Sequence, residues 1–302
     1  MDSSVNRNAR LTAWLIGGPP WLYLLLLFAM PTLIMVAASF AWPGPEGGLS
    51  PLWIRDAGGI RFDLTWDNYT DLVTPIYGFL ILKSFGYAVA VTLLCLVLAY
   101  PLALTIARSP KRWRNTLFLL VIVPFWSNFL VRIYAWMIIL GPQAALTRLV
   151  NDALGLLHLE PVALLFSPFA VIVGLVYVHL PFMILPLYAN LEKHDPALLD
   201  AASDLGANAW ECFRRVTFPL SLPGVIAGAI LVFIPALGAF AVPDILGGTR
   251  GIMIGNVIKM QFLEARDWPF GSSLSIVVTL IVLLFVAVAA LAARRGGGRL
   301  YA

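Results

Sequence analysis

Long apolar runs separated by short polar connections rich in proline and glycine set the pattern of the chain. Runs at 20–40, 79–107, 115–140, 166–190, 223–243 and 272–293 each reach the about 20 residues that a helix needs to cross a ~30 Å hydrocarbon core. The pattern predicts six membrane-spanning helices, hence an all-α integral membrane protein forming one transmembrane domain over residues 1–302. The 42–78 stretch carries Pro43-Gly44-Pro45 and Gly47-Gly48 and ends near a Trp66-Asp67-Asn68-Tyr69 cluster. It reads as a loop with a short surface helix after Trp66.

Composition supports the same solvent. The chain is 60% hydrophobic and 12% charged, with mean hydropathy +0.88, against roughly half apolar and a quarter charged in a soluble domain. A water-soluble globule is excluded, and so is a disordered chain. The 24 Gly and 21 Pro have no period, which removes fibrous and solenoid folds. Cys95 lies in an apolar run and Cys212 in a charged segment, so neither a disulfide framework nor a zinc site follows.

Charge gives orientation. Arg7 and Arg10, then Arg108, Lys111, Arg112 and Arg114, then Lys193, Arg214 and Arg215, then Arg294, Arg295 and Arg299 place 12 of 20 Lys/Arg on one side, and ten of sixteen carboxylates fall on the other. The positive-inside rule then puts both termini and residues 108–114 and 191–222 in the cytoplasm, with 42–78, 141–165 and 244–271 outside. The net charge of +4 is thus a consequence of topology and does not indicate nucleic-acid binding. Arg7 and Arg10 before an apolar stretch also fit a cleaved signal peptide, but the stretch exceeds the usual 7–15 residue core and predicts a retained span.

The loop at 191–222 is long and patterned. Asp195 before Pro196 is an N-cap followed by proline at the first helical position, and Gly206 is a left-handed stop. A helix over 196–205, about 15 Å long, is predicted. Leu198, Ala201, Ala202 and Leu205 share one face, with Asp200 and Asp204 beside it. A second helical stretch from Ala209 to Val216 carries Arg214 and Arg215 at its C-terminal end, and Pro219 is expected to terminate it. The stripe either packs on the chain's own spans or docks a partner.

Asp200-Ala201-Ala202, then Gly206, then Val216-Thr217-Phe218-Pro219 resemble the cytoplasmic loop signature of ABC importer permeases: Glu-Ala-Ala, three residues, Gly, nine residues, Ile-x-Leu-Pro. The departures are Asp for Glu, Val for Ile and Phe for Leu. Ala99-Tyr100-Pro101, Pro124-Phe125-Trp126, Leu130-Val131-Arg132-Ile133-Tyr134-Ala135-Trp136, Leu180-Pro181-Phe182 and Ile234-Pro235-Ala236-Leu237-Gly238 are similar to the first permease subunit of spermidine/putrescine-type importers. The resemblance implies a type I permease in a bacterial inner membrane. It also implies a second homologous permease, two ATP-binding subunits that hold ATP and Mg, and a periplasmic solute-binding protein. The coupling helix would be the 196–205 segment, with Leu198, Asp200, Ala201, Ala202, Leu205, Gly206 and Pro219 carrying the contact to the ATPase. Many polyamine-type relatives carry an acidic residue where this chain has Ala239, which leaves an opine-like compound or an amino-acid derivative as alternative cargo.

The sequence has no ATP site of its own. Lys83-Ser84 is the only Lys followed by Ser or Thr, and Leu82 stands where the P-loop glycine belongs. Neither a His-Glu-x-x-His pair nor a Gly-x-Ser-x-Gly elbow occurs, so a transport subunit is expected rather than an enzyme, without a cofactor or metal. A secondary transporter would need mid-membrane coupling charges and repeat symmetry; a non-transporting scaffold is the other rival.

Candidate pathway residues are Trp126, Arg132, Tyr134, Tyr177, Phe240 and Asp244. Arg132 lies about 26 Å along the third span if that span is one straight helix, where it either snorkels outward or lines a cavity. Tyr134 and Trp136 suit an interfacial belt equally well. Asp244 is either a solvated cap or a carboxylate that meets an ammonium group beside the aromatic faces of Phe240 and Trp126. His179 is either a hydrogen-bonded packing residue or a substrate contact. Pro101, Pro124, Pro181, Pro186, Pro235 and Pro243 are expected to interrupt spans, and Gly224-x-x-x-Gly228 to bring two helices close.

Overall fold

A computed structural model describes the backbone of residues 2–56 and 59–297 and the side chains of residues 17–53, 59 and 61–288. The side chains of Arg7, Arg10, Arg294 and Arg295, and all of Arg299, on which part of the orientation argument rests, lie outside these described residues. In chain order the elements are α1 (Asp2–Ser39), β1 (Trp53–Asp56), β2 (Gly59–Phe62), α2 (Asp67–Asp71), α3 (Pro75–Arg108), α4 (Lys111–Ile122), α5 (Phe129–Ile139), α6 (Ala145–Leu156), α7 (Pro168–Leu191), α8 (Ala197–Asp204), α9 (Ala209–Cys212), α10 (Phe218–Leu237), α11 (Ile254–Leu263) and α12 (Trp268–Gly297).

Among the described residues five helices are long and apolar enough to cross a membrane, and α4 with α5 makes a sixth if that pair is one broken span. The pair corrects the straight 115–140 span expected from hydropathy. A 3₁₀ turn over Val123–Trp126 ends α4, Asn128 caps α5 by accepting from the Leu130 N–H at 2.8 Å, and the two axes differ by 89°. A depth for Arg132 counted along one helix therefore does not apply. Most of the other prolines do not interrupt anything. Pro101 lies inside α3, Pro181 and Pro186 inside α7, and Pro223 and Pro235 inside α10, where neighbouring groups in a bundle can satisfy freed carbonyls. Pro243 instead opens a π-helical turn, Pro243–Gly247, and α10 stops at Leu237, short of the expected 243.

The chain folds as two compact units, Met1–Thr74 with Ile258–Ala302, and Pro75–Val257. In the first, α1 packs against α12, which also meets α2. The loop after α1 is ordered rather than plain. It holds an antiparallel hairpin with Trp53 opposite Phe62, and the expected short helix, α2, starts after Trp66. Asn68 is buried and donates to the carbonyls of Ser39 and Ala41 at 3.0 and 2.9 Å, closing the orphan acceptors at the end of α1. Phe40, Trp66 and Tyr69 cluster over that end with ring centroids 4.8–6.0 Å apart.

In the second unit α3, α7 and α10 pack on one another. Ala88, Val91, Cys95, Ala99 and Ala103 are wholly buried, a stripe of small residues along one face of α3. In lipid, where apolar contact alone gives little preference for protein over solvent, such stripes permit the close packing that holds helices together. Gly224 and Gly228 bring α10 against α7 in the same way: a Cβ on Gly224 would lie 3.0 Å from the Pro186 carbonyl oxygen and 2.8 Å from Asn190 Cβ. Tyr100 of α3 and Ser221 of α10 share a buried hydrogen bond of 2.8 Å. On α1, Leu22, Phe28 and Leu33 are 62%, 71% and 66% exposed, faces that suit lipid or another membrane protein and not water.

Candidate functional site

The segment after α7 is built from local signals. Asp195 Oδ1 accepts from the Ala197 N–H at 3.0 Å, which orients the start of α8, and the helix ends in a left-handed turn at Gly206 with φ +85°. There the Gly206 N–H reaches the Ser203 carbonyl at 2.9 Å and the Ala207 N–H the Ala202 carbonyl at 3.1 Å, the paired bonds of a Schellman stop. At eight residues α8 is about 12 Å long, shorter by a residue at each end than the 196–205 reading.

Of the expected stripe, Leu198 and Leu205 are 47% and 90% exposed, Ala201 and Asp200 are exposed, and Ala202 is half-buried. Leu199, outside the stripe, is the half-buried leucine of α8. The stripe thus remains open along most of its length.

Beyond α8 the structure corrects the sequence reading. Asn208 caps α9 through a capping box, accepting from the Glu211 N–H at 2.9 Å while Glu211 accepts from the Asn208 N–H at 3.1 Å. The Asn-x-x-Glu spacing is legible in the sequence and was the missed signal. Helical structure then runs on through a π turn, Phe213–Thr217, into α10. Pro219 sits in the first turn of α10, where its missing N–H costs nothing, so it does not terminate the helix. Ala209–Leu237 is one continuous 29-residue helical segment and links the loop directly to the packed core.

A cleft of about 520 Å³ lies between this loop and the ends of α3, α7 and α10, with Arg114, Glu192, Leu198, Leu199 and Thr217 on its walls. Arg114 bridges it by donating to Glu192 at 2.7 Å and to the Ala107 carbonyl at 2.9 Å. The Tyr188 hydroxyl and the Arg114 guanidinium together hold the Glu192 carboxyl below the usual carboxylate range.

The membrane candidates separate into groups. Arg132 lies over Phe125 at 4.9 Å, Phe125 stacks on Tyr177 at 6.0 Å, and Trp136 meets Tyr177 edge-on at 5.7 Å, so Arg132 and Tyr177 belong to one aromatic cluster at the bend between α4 and α5. Arg132 Nε and Nη1 are buried without a hydrogen-bond partner. Trp126 and Tyr134 are 76% and 49% exposed and stand outside that cluster. His179 is 6% exposed and bonds the Leu175 carbonyl through Nδ1 at 2.8 Å, which fits the packing alternative.

Asp244 is neither free nor simply solvated. Its carboxylate accepts from Asn256 Nδ2, while the same amide group donates to the Phe240 carbonyl at 2.9 Å and the Asn256 side-chain oxygen accepts from the Met253 N–H at 2.9 Å. Asn256 is 2% exposed and organises the turn that follows α10. Sequence reading passed over it because nothing local marks an asparagine whose partners lie on both sides of a turn. Phe240 itself is 47% exposed.

Comparison with known proteins adds an independent line. The family described as the binding-protein-dependent transport system inner membrane component matches residues 99–296. The spermidine/putrescine transport system permease protein PotB of Escherichia coli strain K12 is 44% identical over 266 residues, 88% of this chain and 92% of that protein. The inner membrane ABC transporter permease protein YdcU of the same strain is 32% identical over 74% of this chain and 75% of its own. Among solved structures, a bacterial ABC transporter for import of the acidic polysaccharide alginate has a chain with TM-score 0.67 at 18% identity, covering 97% of both chains. That likeness establishes the type I permease fold.

Proposed function

The chain belongs to the family of binding-protein-dependent transport system inner membrane components, and from that premise we propose that it is one permease of an ATP-driven importer whose cargo is a polyamine such as spermidine or putrescine. The observation that carries the cargo class is the 44% identity to PotB along 88% of this chain. The subunit moves solute and is not an enzyme; hydrolysis belongs to two separate subunits that hold ATP and Mg. A periplasmic binding protein delivers cargo, and a second homologous permease completes the pathway. The membrane is the bacterial inner membrane, with both termini and the loop at 191–222 on the cytoplasmic side, as the Lys/Arg distribution supports.

In this reading α8 is the coupling helix. Its open stripe of Leu198, Ala201 and Leu205, with Asp200 beside it, enters the ATPase, Ala202 lets the two backbones approach, and Gly206 fixes its exit. Movement of α8 reaches the core because α9, the π turn and α10 form one helical run, with Pro219 inside it.

A second cargo reading rests on Arg132. Two buried donors without an acceptor on a permanently charged guanidinium match a carboxylate, which favours a zwitterionic amine such as an opine-like compound or amino-acid derivative over a purely cationic one. Trp126, Tyr134, Tyr177 and Phe240 supply aromatic faces in either case.

Uptake by the assembled importer decides between them. Labelled spermidine taken up and competed by putrescine supports the polyamine reading. Competition only by carboxylated amines, with loss of uptake in Arg132→Gln, supports the second. Asp244→Asn compared with the surface change Asp152→Asn tests a cargo contact at Asp244: equal uptake by the two variants removes Asp244 from the cargo pathway.

A further inference from the structure

A second cleft, of about 550 Å³, runs between the last third of α3 and the helical run from α9 into α10. Leu96, Val97 and Pro101 form one wall, Trp210, Phe213 and Phe218 the other. Tyr100 also borders the cleft, but its hydroxyl is engaged with Ser221. The one charged group on the lining is Arg214, which is exposed and makes no ion pair among the described residues, whereas Arg215 approaches Glu211 at 3.8 Å. Phe213 is held against Trp210 at 5.4 Å and against Tyr100 at 5.5 Å, so the π turn places an aromatic wall directly beside a free cation.

Depth follows from helix geometry. Leu96 and Leu104, which bound the cleft on α3, precede Arg108, the last residue of that helix, by about 18 and 6 Å at 1.5 Å per residue. Trp210 and Phe218 lie within about 14 Å of the start of the facing helical run. The cleft is therefore apolar at the depth of acyl chains and cationic near the level of headgroups, with Trp210 at the boundary where tryptophan is enriched. A soluble solute would find too few polar partners along these walls, while basic pockets between membrane helices attract acidic headgroups.

We propose that this cleft holds an acyl chain of an anionic glycerophospholipid, with the lipid phosphate on Arg214. The site rests on the membrane location of the chain and is independent of which cargo is carried. A lipid seated here lies against the run that joins α8 to α10, so it would make transmission from the coupling loop sensitive to membrane composition.

The assembled importer, reconstituted in equal parts of phosphatidylcholine and phosphatidylglycerol, is released into detergent and its retained lipids counted by native mass spectrometry. The unaltered complex should retain phosphatidylglycerol preferentially. Arg214→Gln should lower that preference about fivefold, the effect of one basic side chain at the headgroup level. Val97→Trp, placing bulk at a position 67% exposed in the cleft wall while keeping Arg214, should lower lipid retention of both kinds. A photocrosslinking amino acid at position 97 should gain the mass of a phospholipid. Unchanged lipid preference in Arg214→Gln overturns the proposal, and so does an adduct at position 97 to another protein chain, which would make the cleft an interface with the second permease.

Discussion

Replacing Gly206 tests whether the end of α8 must hold its present shape for transport. With φ at +85° this residue lies where an L side chain costs about 1–2 kcal/mol. A Cβ added there would meet no other atom within 4 Å, so the cost comes from the backbone alone and not from a clash that relaxation could relieve. A substituted chain either bears that strain or leaves the left-handed region and gives up the Gly206–Ser203 and Ala207–Ala202 bonds, each worth about 0.5–1.5 kcal/mol. A helix this short has little stability of its own, and a loss of 1–2 kcal/mol lowers the population of the formed turn by roughly 5–30-fold. Asparagine tolerates this region better than alanine, and β-branched residues tolerate it least. The expected order of coupling is therefore Gly206, Gly206→Asn, Gly206→Ala, Gly206→Val. The assay is cargo-stimulated ATP hydrolysis by the reconstituted importer as the ATP-binding subunit is titrated, with membrane insertion checked by yield. Gly206→Val should insert normally and need at least about fivefold more ATP-binding subunit for half-maximal hydrolysis. A flat series, or Gly206→Asn performing worse than Gly206→Val, would refute the reasoning.

Three further outcomes follow from particular contacts. Gly224→Ala should destabilise the purified permease by about 1–3 kcal/mol, because the new Cβ meets Asn190 Cβ at 2.8 Å and the Pro186 carbonyl oxygen at 3.0 Å; Gly86→Ala, whose Cβ would find open space, should not lower the thermal midpoint. Asn256→Leu should cost at least about 2 kcal/mol by stranding the buried Met253 N–H and the Phe240 carbonyl, read as a drop of several degrees in thermal unfolding, and an unchanged midpoint would show that the turn holds without it. Glu192 has a depressed carboxyl pKa, so its contribution is present above the ordinary value near 4.5 and is lost as pH falls through the lower folded value. Thermal midpoints of the unaltered protein should therefore decline more steeply below about pH 4.5 than those of Glu192→Gln, by a small amount because the pair is solvent-accessible, and parallel declines would remove Glu192 from the account.

Sequence alone located the apolar spans, because partition between lipid and water is decided residue by residue over about 20 positions, but not the break inside 115–140 or the end of the fifth at Leu237. It also determined the Asp195 start and the Gly206 stop of α8, since a cap or a positive φ depends on a few neighbouring atoms, and the contact at Gly224 and Gly228, where the absence of a side chain is itself the signal. Tertiary structure decided the rest. Six prolines look alike as breaks, yet Pro101, Pro181, Pro186 and Pro235 sit inside continuing helices, and the 89° bend follows the 3₁₀ turn that contains Pro124, between Trp126 and Phe129, because the surroundings of each freed carbonyl, and not the proline ring alone, determine whether a helix goes on. Pro219, which by its local pattern ends a helix, lies in the first turn of one for the same reason. Asp244 has a partner that no local pattern marks, Asn256, twelve residues away, and Tyr100 meets Ser221 across a separation of 121 residues. Helical hydrogen bonds close within about four residues and are therefore written locally, whereas side-chain partners at such distances are chosen only when α3, α7 and α10 have packed.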